Sequence, residues 1–215
     1  MATRKKSAPK KTTEDESELS PQEKLIYQAL ETEMGGVEVY EMALRCVQND
    51  DLRDEWEEYL EQTKRHVQIL TDVCKKLEMD PERATPGRDV VRHIGGALVK
   101  AMQMAIDDGD EKDAEIVAAE CVTLAETKDH ANWGLIGSLA KSLTGEERQA
   151  LSKAHDEVED QEDEHLYHSG GWARELALDA LGLPAELPPP EEEEDVHSAE
   201  EAAEAKKKSV KSRSM

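Results

Sequence analysis

The sequence predicts an all-α protein, a bundle of four long helices with a further helix crossing between the second and third of them. Three observations predict it. Apolar residues recur at alternating steps of three and four over four long stretches. Helix start and stop signals punctuate the chain between those stretches, and nowhere is there a strand signal of consequence. A length of 215 residues suits one domain with tails, and 37% hydrophobic residues suffice for one core when they are periodic.

Residues 1–20 are polar and charged, and are expected to be disordered. Order begins at Ser20-Pro21-Gln22-Glu23, a capping box with proline at the first helical position, and the first helix runs to about Gln48. Asn49-Asp50-Asp51 is a tight turn. A second helix follows to about Met79, where Asp80-Pro81 and Thr85-Pro86-Gly87 break the chain. The crossover helix spans about Asp89–Ile106 and ends in DDGDEKD; the third long helix covers about Asp113–Leu143. Thr144-Gly145-Glu146-Glu147 is a turn and a second capping box, opening a fourth helix that reaches at least His168. Ser169-Gly170-Gly171 is a point where that helix can kink or break before WARELALDALGL. The bundle domain is therefore 21–183, and residues 184–215, rich in Pro and Glu and then in Lys, are expected to be a disordered tail.

The net charge of −23 is unevenly spread. Residues 1–11 and 206–215 each hold five basic residues and no acid, which leaves −33 on the 194 residues between them. Such a body repels nucleic acid, so only the basic tails could touch it; alternatively they are disordered and screen the acidic body. Neither an N-terminal apolar leader nor an apolar run near membrane-spanning length is present, which predicts a soluble cytoplasmic chain with no membrane partner. Cys46, Cys74 and Cys121 lie in or beside apolar stripes without CxxC spacing and read as buried free thiols. The chain carries no glycine-rich phosphate loop, zinc-finger spacing or nucleophile triad.

Charge inside an apolar seam is informative because an unpaired buried carboxylate costs several kcal/mol. The first seam is Ile26, Leu30, Glu33, Val37, Tyr40, Leu44, Val47, with Glu33 its one charge. The second is Leu52, Trp56, Tyr59, Thr63, His66, Leu70, Val73, Leu77, and the fourth is Leu151, Ala154, Val158, Glu162, His165, Ser169, Trp172. Glu162 and His165 thus form an inward E-x-x-H pair, whereas Glu194 and His197 in the tail spell the same motif by chance. Glu33 lies 17 residues before the turn residue Asp50 and His66 lies 16 after it; Glu162 lies 17 beyond Gly145. At 1.5 Å per residue, Glu33, His66, Glu162 and His165 share one level if the two hairpins match in height. Carboxylates with imidazoles suit iron or manganese.

The third helix is ambiguous. Its best seam, Val117, Cys121, Leu124, Lys128, Ala131, Leu135, puts a cation at the shared level. Either this helix rolls to bring in Glu126 or His130, which completes a metal site, or Lys128 enters the core and neutralises Glu33 and Glu162 in a buried ion network.

The chain resembles the ferritin-like superfamily over about residues 22–180. Glu33 with Tyr40 seven residues on is similar to the first helix of bacterioferritin-type proteins, and QEDEH at 161–165 is similar to their fourth-helix ligand motif. The segment LEQTKRHVQIL departs from that pattern, because Thr63 stands where a bridging glutamate would be. That segment and AETKDHANWG, which contains Glu126, are similar instead to the YciF-type stress-associated branch. The resemblance implies Glu33, His66, Glu162 and His165 as ligands of a di-iron centre, with manganese or zinc as other candidates. Glu126 or His130 would complete the set. It also implies a homo-oligomer that handles Fe(II) with oxygen or peroxide in iron or stress homeostasis. Two alternatives stand beside it: a metal-free bundle acting as a structural or stress module, and a partner or nucleic-acid binder working through its basic tails.

Overall fold

The computed structural model describes residues 19–212, and every element among them is a helix. Five are long: α1 (Pro21–Ala43), α2 (Asp50–Lys76), α3 (Pro86–Asp108), α4 (Glu111–Ser142) and α5 (Gly145–Ala180). Two shorter ones follow, α6 (Pro190–Glu193) and α7 (Ala199–Ser212). No helix among the described residues is long and apolar enough to cross a membrane.

Local chemistry sets the boundaries. Ser20 and Glu23 form the predicted capping box, each side chain bonding the other's backbone N–H at 3.2 and 2.8 Å. Asn49 caps α2, and Thr85 caps α3 with Pro86 in its first turn. The second predicted capping box does not form: Thr144 precedes α5 but makes no side-chain capping bond.

α1 and α4 each pack against α2 or α5 and against one another, α2 also packs on α5, and α3 lies along α1 and α4. Buried polar groups fix these junctions. Glu115 of α4 accepts from the backbone N–H of Gln48 and Asn49, both at 2.7 Å, and closes the α1–α2 turn. Arg88 and Arg92 of α3 both reach the buried Glu31 of α1, at 2.6 and 2.7 Å. Gly35 and Gly95 allow these two helices to touch backbone to backbone. All three cysteines are free and buried, and burial pushes their thiols above the ordinary range, to about 11 for Cys74 and Cys121.

The seams of α1, α2 and α5 face inward as predicted. That of α4 does not. Leu124 and Leu135 are 61% and 57% exposed, and the buried face is instead Ala118, Val122, Glu126, Asp129, Trp133, Ile136 and Ala140. Ala114, Ala118, Ala119, Gly137 and Ala140 are buried on α4 alongside Val122, Trp133 and Ile136, so its inner face mixes small and large residues and carries no leucine.

α5 runs unbroken through Ser169-Gly170-Gly171. Gly171 serves a close approach: a Cβ there would meet Glu191 Oε2 at 2.8 Å and Pro189 Cβ at 2.9 Å. The segment it receives corrects the expectation of a structureless tail after residue 184. Arg174 grips Glu191 with two bonds of 2.6 and 2.7 Å, and the Trp172 indole N–H donates to Glu192 at 2.5 Å. Val196 and Ala205 are buried with them. The expectations for residues 1–18 and 213–215 lie outside the described residues.

Candidate metal centre

The apolar core is divided in two. One part gathers Val39, Tyr40, Trp56, Tyr59, Val122 and Trp172; the other gathers Ile26, Leu30, Leu70, Trp133, Ile136 and Leu151. Between them, at one level of the bundle, lies a layer of polar side chains drawn from four helices. α1 supplies Glu33, α2 supplies His66, α4 supplies Glu126 and Asp129, and α5 supplies Glu162 and His165. None is more than 4% exposed.

Within this layer two groups of three can each hold a metal ion, Glu33 with His66 and Glu162, and Glu126 with Glu162 and His165. Glu162 belongs to both. His66 Nδ1 lies 3.1 Å from Glu162 and 3.5 Å from Glu33, and His165 Nδ1 lies 3.7 Å from Glu126. The two imidazoles are stacked 5.8 Å apart.

Groups behind the layer orient it. His66 Nε2 donates to the amide oxygen of Gln161 at 2.8 Å, and His165 Nε2 donates to that of Gln62 at 2.7 Å. Each Nε2 is thereby occupied, so each Nδ1 is the atom presented to the carboxylates, as outer partners do for metal-binding histidines. Trp133 donates its indole N–H to Glu33 at 2.6 Å. The Tyr40 hydroxyl is kept protonated by burial and then by the nearby Glu126 carboxylate.

Charge is crowded here. Burial and the carboxylates of Glu33 and Glu162 push Asp129 well above its ordinary range. Burial, opposed by the bond to His66 and reinforced by Glu33 and Glu126, does the same to Glu162. For His66 burial works downward, but Glu33 and Glu162 overcome it and raise the imidazole to about 11. Glu33 Oε2, Glu126 Oε2, Asp129 Oδ1 and Glu162 Oε2 are buried without a hydrogen-bond partner. Each such atom costs about 1–3 kcal/mol, and three of the four residues that carry them, Glu33, Glu126 and Glu162, belong to groups able to hold a metal ion.

Of the residues predicted from sequence, Glu33, His66, Glu126, Glu162 and His165 come together. His130 does not: it turns to Asp163 of α5 at 2.7 Å and is partly exposed. Nor does Lys128, whose half-buried ammonium meets the Asn132 side chain at 3.4 Å and pairs with neither Glu33 nor Glu162. The core ion network imagined around Lys128 is therefore not formed. Thr63 offers no ligand, since its hydroxyl bonds the Tyr59 carbonyl at 2.8 Å and a Cβ on Gly36 would lie 3.2 Å from its methyl.

Asp129, Gln62, Gln161 and Trp133 were missed by sequence reasoning. A signal existed for three of them. Gln62-x-x-x-His66 and Gln161-x-x-x-His165 repeat one spelling, and Asp129 follows Glu126 at the spacing with which His165 follows Glu162. Comparison with protein-family models, curated proteins and solved structures finds no match.

Proposed function

We propose that this is a ferritin-like protein, a four-helix bundle of α1, α2, α4 and α5 with α3 as the crossover, whose polar layer holds two iron ions. The observation that carries it is Glu162, a buried carboxylate common to two three-residue donor groups that each contain one imidazole Nδ1. Carboxylates and imidazoles without thiolate suit iron and manganese better than softer metals. Glu33 and His66 would hold one ion, Glu126 and His165 the other, with Glu162 between them. Asp129 adds a further buried carboxyl group beside the layer, outside both donor groups.

When bound, two Fe(II) ions would supply two electrons, which with two protons would reduce O2 to H2O2 or H2O2 to two water molecules. The chain's own residues prepare this chemistry. Gln62 and Gln161 set the imidazole tautomers, and Trp133 holds Glu33 in place. The Tyr40 hydroxyl, kept protonated, is a buried hydrogen-bond donor beside Glu126. The apolar clusters above and below exclude water. Such an activity belongs in iron or stress homeostasis in the cytoplasm.

Protein purified without chelator should contain iron and bind Fe(II) saturably under anaerobic conditions. An absence of iron, manganese and zinc, together with no saturable Fe(II) binding, overturns the proposal. An assembly of more than one copy is part of the same proposal, with Val90 and Ile94, exposed one turn apart on α3, among the residues it would cover. A monomeric mass by light scattering removes that part.

A further inference from the structure

α3 is packed on one side only. Arg88 and Arg92 tie it to Glu31, its Gly95 meets Gly35 of α1, and Val91 and Met102 are buried. On the other side Val90, Ile94 and Met104 are 60%, 46% and 60% exposed. With Ala97 and Ala101 between them, these residues follow one another at steps of four, three, four and three, the spacing at which two helices pair side by side. At about 100° per residue all of them fall within an arc of about 80°, a stripe about 21 Å long. Charge decides what fits against it. The chain carries −23, yet within α3 Arg88, Arg92 and Lys100 balance Asp89, Asp107 and Asp108. Two copies of so acidic a chain repel one another over most of their surface, and least where α3 faces out. The charges of α3 are also ordered along its length. Its last turn has no basic residue and carries Asp107 and Asp108, both exposed, at the end where the helix dipole is itself negative. Arg92 and His93 are exposed nearer the other end, where the dipole is positive.

We propose that α3 pairs antiparallel with α3 of a second copy of this chain, about a twofold axis near residue 99. Ile94 of each copy then faces Met104 of the other, and Ala97 faces Ala101. Small residues meet next to the axis, so the helices approach closely, and the large ones pack on either side of it. Antiparallel pairing also carries Asp107 and Asp108 of each copy to the N-terminal half of the other, where dipole and basic side chains favour them. A partner of opposite charge would seek the acidic faces of the bundle rather than a neutral helix. A stripe of this length, one helix wide, lies at the small end of specific interfaces, so the pair comes apart on dilution. The pairing specifies the assembly proposed above and rests on it; the metal centre is not involved.

Sedimentation equilibrium of the full chain, over about a hundredfold range of concentration, reads the pairing directly. Wild type should pass from one copy to two as concentration rises. Ile94→Lys with Met104→Lys should weaken that association at least tenfold, and Leu124→Lys, on the exposed side of α4, should leave it unchanged. Asp107→Lys with Asp108→Lys makes the chain less acidic, so repulsion alone would strengthen association; the antiparallel arrangement requires that it weaken at least threefold. Wild type that stays a single copy throughout overturns the pairing and the assembly together. Undiminished association in the Ile94→Lys, Met104→Lys variant overturns the pairing while the assembly stands, and so does an equal loss in Leu124→Lys. Unchanged or stronger association of the Asp107→Lys, Asp108→Lys variant overturns the antiparallel arrangement. Should the Ile94→Lys, Met104→Lys variant not keep its helicity by circular dichroism, Val90→Lys alone decides, with the same expected weakening and the same refuting result.

Discussion

Replacing Glu162 by glutamine should change the protein in two opposite ways, one without metal and one with it. Without metal, the carboxyl is buried at 1% exposure and its pKa is raised well above 4.5. A raised folded-state pKa means that its contribution to stability is complete below the unfolded value and is lost as pH climbs through the folded value. Between the unfolded value and the raised folded value, each pH unit costs about 1.4 kcal/mol, and the amide escapes this cost. For a chain of this size 1 kcal/mol corresponds to about 2–4 °C. The melting temperature of Glu162→Gln relative to wild type, measured in chelator, should therefore be smallest below about pH 4.5, grow by about 3–6 °C per unit as pH rises above it, and level off once the folded carboxyl has ionised. With metal the order reverses. An ion present at 100 times its dissociation constant adds about 2.7 kcal/mol, so two ions add about 10–20 °C to wild type. Glu162→Gln should lose nearly all of this gain because Glu162 serves both groups, whereas Glu33→Gln should lose about half. Melts followed by circular dichroism, with and without Mn(II), read both effects. Equal losses in the two variants, or a full metal gain in Glu162→Gln, would refute the shared-ligand geometry.

Metal affinity should rise with pH by up to tenfold per unit below about 11, because binding displaces the proton that Glu33 and Glu162 hold on His66; calorimetry in buffers of different ionisation enthalpy would count that proton. Trp133→Phe removes the donor to Glu33 and should weaken metal binding by about 10–100-fold with little change in helicity; unchanged affinity would deny Trp133 a positioning role. Gly171→Ala should release the 189–193 segment and speed proteolysis there. Gly170→Ala, which meets nothing within 4 Å, should not. Arg88→Met leaves Glu31 buried beside Arg92 alone and should cost about 3–5 kcal/mol in denaturant unfolding; a cost near zero would mean that Arg92 suffices.

The sequence by itself determined the all-helical class, the breaks before α2, α3 and α5, and the inward faces of three helices. Their faces carry large apolar residues such as Trp56, Leu70 and Val158, so a single polar residue in the seam, Glu33, His66 or Glu162, stands out against them. Chain separation between each residue and its turn then set a level within each hairpin, because helical rise is constant.

Only the tertiary structure decided the rest. The rotation of α4 could not be read, since small residues face inward where helices pack closely and two leucines are left exposed; that rotation brings in Glu126 and Asp129 and leaves Lys128 at the side. The crossed glutamine bonds, Gln161 to His66 and Gln62 to His165, join residues 95 and 103 positions apart. The acidic segment after residue 184 reads as solvated by composition alone, yet its carboxylates meet donors on α5, Arg174 and Trp172, that no local pattern connects to it. Periodicity reports which residues a helix can bury. What those residues meet depends on how neighbouring helices turn about their axes, and that is settled by packing contacts between residues far apart in the chain.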